Sequence, residues 1–161
     1  MTIRKPGELT RDLAAGARIL GLDLGRRTIG LALSDVRRTI ATPCETIRRT
    51  KLAADLAHLA RIIEEQDVGA LVLGLPINMD GSEGPRCQAT RQFASDLLKA
   101  VDLPLAFWDE RLSTRAAEAA LLDADVSRRR RAEVIDKVAA AVILQSFLDF
   151  LSASGPGDDR R

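Results

Sequence analysis

The chain has 161 residues, of which 46% are hydrophobic and 29% charged, with a formal net charge of +1. That length favours one domain with a full core, and no stretch approaches the ~20 apolar residues of a membrane-spanning helix. A single histidine, His58, and two cysteines, Cys44 and Cys87, without CxxC spacing argue against a zinc cluster, a disulfide framework and Ser/His or Cys/His nucleophiles.

Residues 1–16, MTIRKPGELTRDLAAG, lack a secretory apolar core. They are expected to form a flexible extension on a cytoplasmic protein. A first strand is expected over 18–25 and a second, TIGLALSD, over 28–35. The short link through Gly25, Arg26 and Arg27 makes them an antiparallel hairpin. A third strand, about 39–47, contains Pro43 and belongs at an edge or a bulge. Leu52, Leu56, Leu59 and Ile63 mark one face of a helix, and ALVLGLP, 70–76, is a buried strand of parallel type. A turn-rich loop, INMDGSEGP, leads into a helix with Ala89, Phe93, Leu97 and Val101 on one stripe.

LPLAFWDE, 103–110, is the fifth strand, and Ser113 or Thr114 caps a short helix running to about 123. A long helix over 132–151 closes the domain, followed by a disordered tail over 153–161. The order β-β-β-α-β-α-β-α-α describes an α/β domain over 17–152, a five-stranded mixed sheet with helices on both faces. Both cysteines are expected to be reduced and at least half-buried.

Three acids stand in unusual surroundings. Asp23 ends the apolar run ILGLDLG and shares a strand face with Ile19 and Gly21. Burying a charge is unfavourable unless it is paired, hydrogen-bonded or metal-bound. Bonds from the GRRT turn are the structural alternative. Glu110 ends another strand, where sites form in open α/β sheets. Asp109 is its rival on the opposite face, and an ion pair with Arg111 is the structural alternative. Asp136 heads a helix face continued by Ala139, Ala140, Ile143 and Phe147. A favourable helix dipole explains its position along the helix but not that face. Three convergent carboxylates repel unless a cation joins them. An all-oxygen donor set points to Mg²⁺ or Mn²⁺, and such ions commonly serve phosphate chemistry.

GLDLGRRTIGLALSD, IATPCETIRR, VLGLPINMDGSEGP, WDERLST and RRRRAEVIDKVAAAVILQSFL together resemble the YqgF family, also called RuvX and described as Holliday junction resolvases. The likeness covers about 18–151. Its departures are Cys44 for a common leucine, Leu24 where related nucleases often have proline, and Thr28 at a frequently basic position. The resemblance implies an RNase H-like fold and a metal-dependent nuclease that matures the 5′ end of precursor 16S ribosomal RNA. It assigns the acids to Asp23, Glu110 and Asp136, the same three residues reached above.

On that reading two ions serve phosphodiester hydrolysis, with Asp23 bridging both and Glu110 and Asp136 completing one sphere each. Water attacks in line and leaves a 5′-phosphate and a 3′-hydroxyl. Arg26, Arg27, Asn78, Arg111, Ser113 and Thr114 are candidates to contact the nucleic acid. The run Arg128, Arg129, Arg130 and Arg131 is the best candidate for its backbone. The partner is structured RNA, namely precursor rRNA with or without the small subunit, or else branched DNA. The alternatives are a junction resolvase and a non-catalytic nucleic-acid-binding assembly factor.

Overall fold

The run RILGLDL extends as β1 (Arg18–Leu24), and TIGLALS pairs back on it as β2 (Thr28–Ser34). Between them Gly25 donates its N–H to the Thr28 carbonyl at 2.8 Å. The computed structural model describes residues 3–112 and 128–154, with the backbone alone for 112, 128–136 and 154. The remaining elements are β3 (Ala41–Arg48), α1 (Leu52–Glu65), β4 (Val68–Leu75), α2 (Pro85–Ala100), β5 (Leu105–Asp109) and α3 (Arg128–Ser154), with short 3-10 helices at Pro6–Glu8 and, directly after β5, at Glu110–Leu112. The strands lie in the order β3-β2-β1-β4-β5. β1–β2 and β2–β3 are antiparallel, while β1–β4 and β4–β5 are parallel. This is the mixed sheet expected from the sequence.

Pro43 fits where it was expected. β3 is an edge strand, and its register slips between Leu31↔Glu45 and Ala32↔Pro43, which leaves Cys44 as the extra residue of a bulge. Cys44 is exposed and Cys87 buried, so only the second meets the expectation of a sheltered thiol. His58 stands at the border of α1, 2.8 Å from Glu45. The short helix expected from Ser113 or Thr114 falls outside the described residues, as does the tail beyond 154. The last helix starts at Arg128, one turn earlier than its apolar pattern suggested.

Alternation in β1 sorts the core into two layers. Leu20, Leu22 and Leu24 face Leu59, Ile62 and Ile63 of α1 and Phe93 and Leu97 of α2. Ile19 faces the other way, with Ala70, Val72 and Ala106, towards Ala140, Ile143, Leu144 and Phe147 of α3. Each fully buried side chain of this size contributes roughly 1.5–3 kcal/mol relative to exposure. Burial on both faces explains why β1 and β4 read as nearly unbroken apolar runs. Leu52, expected on the buried stripe of α1, is instead exposed at its first turn.

The N-terminal residues, expected to be loose, are packed. Ile3 bridges to Leu105, Arg4 donates to the Leu105 carbonyl at 2.8 Å, and Leu9 is fully buried beneath α3. Apolar Leu9 and Leu13, hidden in a segment of polar average, supply the contact. Among the described residues no helix is long and apolar enough to cross a membrane.

Close approach of α3 depends on Gly21. A Cβ there would lie 2.8 Å from the Leu144 Cβ and 3.3 Å from the Ala140 carbonyl oxygen. Neither atom is the far end of a flexible chain, so the helix itself must shift. Gly21→Ala is expected to lower stability by about 1–2 kcal/mol. Urea unfolding should show a lower midpoint at an unchanged m-value, and an unaltered midpoint would contradict this packing.

Candidate active site

Asp23 and Glu110 stand at the carboxyl ends of β1 and β5, with β4 between them. Two strand spacings, about 10 Å, separate the backbones. Parity puts both side chains on the α3 face: Asp23 follows Ile19 and Gly21, and Glu110 follows Ala106 and Trp108. Between them, on the same face of β4, comes Gly74 after Ala70 and Val72. A Cβ on Gly74 would lie 2.9 Å from the Glu110 Cγ and 3.1 Å from its carboxyl carbon. The glycine is therefore the floor over which the longer acid reaches across β4. An aspartate at 110 would stop one methylene short.

The two carboxyl groups share a hydrogen bond. That bond needs a proton, and the raised pKa of Glu110 is the direction that keeps one there. Burial, this bond and the Asp23 charge together push the Glu110 carboxyl from 4.5 up to about 9, against a small opposing pull from Arg86. Asp109, on the opposite face, has another partner. Arg111 grips it through Nε at 2.9 Å and Nη2 at 2.6 Å, holding its carboxyl below the usual range. The rivalry between the neighbouring acids is thus decided by strand parity. Arg111 pairs with Asp109 and not with Glu110.

The loop after β4 reaches the same end of the sheet. Asn78 donates its side-chain amide to Ser82 Oγ at 3.1 Å, and Asp80 accepts the Ser82 N–H at 2.9 Å, which closes the loop on itself. Asp80 feels the charge of Arg111, so the loop and the end of β5 are neighbours. Arg26 and Arg27 are exposed at the turn beyond Asp23. Arg86, at the start of α2, went unnoticed in the sequence. So did Gly74, although a glycine inside an apolar strand is a recognised sign of close approach.

The third acid is known by its backbone alone. Gln145 clasps Thr39 and Ala41 at the start of β3, at 2.9 and 2.8 Å, while Lys137, two turns earlier, is near enough to Cys44 for its charge to be felt. α3 therefore runs antiparallel to β1, and its N-terminal part lies toward the end of the sheet that carries Asp23. Asp136 is in that part, one turn before Ala140. The side chains of Asp136 and Arg128 to Arg131 lie outside the described residues, as do Ser113 and Thr114 entirely. Among the described residues no three metal-ligating side chains cluster.

A mixed sheet in this order, backed by a long helix and carrying acids at the carboxyl ends of its first and last strands, is the RNase H-like arrangement. The chain belongs to the RuvX family, described as Holliday junction resolvase, whose model matches residues 17–150. A relative from Paramagnetospirillum magneticum is 60% identical over 149 residues, covering 92% of this chain and 96% of its own, and is named "Putative pre-16S rRNA nuclease". Among solved structures, Thermus thermophilus RuvC in complex with a Holliday junction substrate aligns with a TM-score of 0.52 at 14% identity, covering 84% of this chain and 96% of its own. The fowlpox virus resolvase in complex with Holliday junction DNA aligns at 0.53 and 10%, covering 83% and 98%. At such identities the likeness concerns the fold alone.

The Glu110 proton has a consequence for stability. Its folded pKa of about 9 exceeds its ordinary 4.5, so its contribution is complete below 4.5 and is lost as pH rises towards 9. In EDTA the melting temperature should therefore fall across that window. Glu110→Gln keeps a hydrogen-bond donor but cannot ionise, and is expected to flatten the decline and melt higher than wild type near pH 9. Calorimetric scans at several pH values check this, and equal slopes would contradict the shared proton.

Proposed function

We propose that this protein is a divalent-metal-dependent nuclease that hydrolyses RNA phosphodiesters in maturing the 5′ end of precursor 16S rRNA in the cytoplasm. The observation that carries the reading is the pair of carboxyl groups held together over Gly74. Two carboxyl groups are gathered at a sheet end where open α/β folds place their sites, and burial beside Asp23 favours the protonated form of Glu110. The name of the 60%-identical relative, "Putative pre-16S rRNA nuclease", supports the RNA substrate class.

The donor set suits Mg²⁺ or Mn²⁺: carboxylate oxygens, with the one histidine, His58, paired elsewhere with Glu45. Asp23 and Glu110 would hold the ion, with Asp136 as the third ligand from α3. When bound, such an ion lowers the pKa of water and stabilises charge on a displaced oxygen. The protein's own contribution is to hold two carboxyl groups at a fixed separation and to yield the Glu110 proton on loading. Arg26 and Arg27, exposed beyond Asp23, would neutralise the phosphates of an approaching strand. Arg111 is tied to Asp109 and serves more readily to orient the end of β5. Asn78 braces the neighbouring loop.

The resolvase reading is favoured by the family description. The test is cleavage of a 5′-extended small-subunit RNA fragment beside a four-way DNA junction, in Mg²⁺, Mn²⁺ or EDTA. RNA cutting is expected with either ion and not in EDTA. Asp23→Asn is expected to reduce it at least about 100-fold with an unchanged circular dichroism spectrum. Cutting of the junction alone would make the protein a resolvase. Salt-sensitive RNA binding without cutting would make it an assembly factor.

A further inference from the structure

A shallow hollow of about 240 Å³ opens at the sheet end that carries the acid pair, on the α2 side of the sheet, lined by Leu24, Gly25, Arg26, Arg49, Arg86 and Thr90 among others. It lies between the β1–β2 turn, the residue that follows β3, and the first turns of α2. Three of its lining residues are arginines and none is acidic. Arg49 is fixed in place. Its Nη1 donates to the Gly25 carbonyl at 2.7 Å, its backbone N–H donates to the Arg27 carbonyl at 2.8 Å, and its guanidinium carbon stands 5.9 Å from the Phe93 ring centre. Arg86 is the second residue of α2, after Pro85 and an N-cap glycine that offers no side-chain acceptor. The amino end of a 16-residue helix therefore adds its positive pole to the three guanidinium groups.

The hollow and the acids are neighbours. Leu24 and Gly25 directly follow Asp23, and the charge of Arg86 is felt at the Glu110 carboxyl. A polyanion approaching two carboxyl groups is repelled by them, so positive charge fixed alongside is what would seat it. Because Arg49 is already tethered, less side-chain freedom is lost on binding.

We infer that this arginine-lined hollow is a phosphate subsite, binding the RNA backbone phosphate that flanks the bond held at Asp23 and Glu110. The inference rests on the nuclease reading for its substrate, and it assigns Arg26, Arg49 and Arg86 to the gripping of one phosphodiester. Guanidinium groups suit this task because their planar donors match phosphate oxygens in pairs.

The test reads binding with cleavage switched off. Anisotropy of a labelled single-stranded RNA from the precursor 5′ extension is followed in EDTA, from about 50 to 200 mM salt. The proteins are wild type, Arg26→Gln/Arg86→Gln and Arg61→Gln. Arg61 lies exposed on α1 near Glu65, away from the hollow, and its variant removes a charge elsewhere. Arg26 and Arg86 are exposed, so the double variant should melt like wild type. It is expected to bind roughly tenfold more weakly at low salt, with a salt slope shallower by about 0.7 for the lost phosphate. Arg61→Gln should match wild type.

A wild-type slope and affinity in the double variant would overturn the subsite, as would equal weakening by Arg61→Gln or no RNA binding at all. The two readings fail separately. A shallower slope in a protein that cuts nothing keeps the subsite and ends the nuclease. An unchanged slope in a protein that cuts RNA does the reverse.

Discussion

Two carboxyl groups that reach each other across an intervening strand are the constraint from which the rest of this molecule can be understood. Asp23 and Glu110 leave strands that are not neighbours, and they meet because Gly74 of β4 has no side chain to separate them. Left to themselves they cannot both be ionised at neutral pH, and Glu110 keeps its proton up to about 9. Selection for stability alone would favour an apolar pair at this place, since a buried acid pair gains little over well-packed hydrophobic groups. The fold tolerates the acids at the carboxyl edge of the sheet.

The packing around that pair follows from the same demand. α3 must lie close enough to β1 and β4 to bring its N-terminal part to the acids, and two glycines permit this. Gly21 admits Ala140 and Leu144, and Gly74 accepts Ile143 together with Glu110. Trp108 adds an anchor on β5. Its indole N–H donates to Ser146 Oγ at 3.1 Å, and its ring meets Phe147 edge-on. On the opposite face, α1 and α2 seal the sheet with leucine, isoleucine and phenylalanine. The amino end of α2 then opens onto the arginine hollow. One sheet end thus carries acids towards α3 and arginines towards α2.

Much of this was legible in the sequence. Unbroken apolar runs in β1 and β4 announced strands covered on both faces, and the short link through Gly25, Arg26 and Arg27 announced the hairpin. Pro43 marked the bulged edge. Asp23 and Glu110 stood out because a charge at the end of a buried strand needs a reason. What stayed hidden depends on distance across the sheet. No pattern along the chain says that Gly74 lies between two acids, that Arg111 pairs with Asp109, or that Arg49 and Arg86 face one hollow. The N-terminal segment misled because its polar average concealed Leu9 and Leu13, whose burial is decided by the tertiary fold. Leu52 misled in the opposite sense, since periodicity identifies a face but not how far the core extends along it.

The central proposal is that Asp23 and Glu110 form a cation site. The most direct measurement is anomalous diffraction at the manganese edge from crystals grown with Mn²⁺. The account predicts an anomalous peak between the two carboxyl groups, over Gly74, with their mutual hydrogen bond broken. Manganese bound only elsewhere, with Asp23 and Glu110 still hydrogen-bonded to each other, would contradict it.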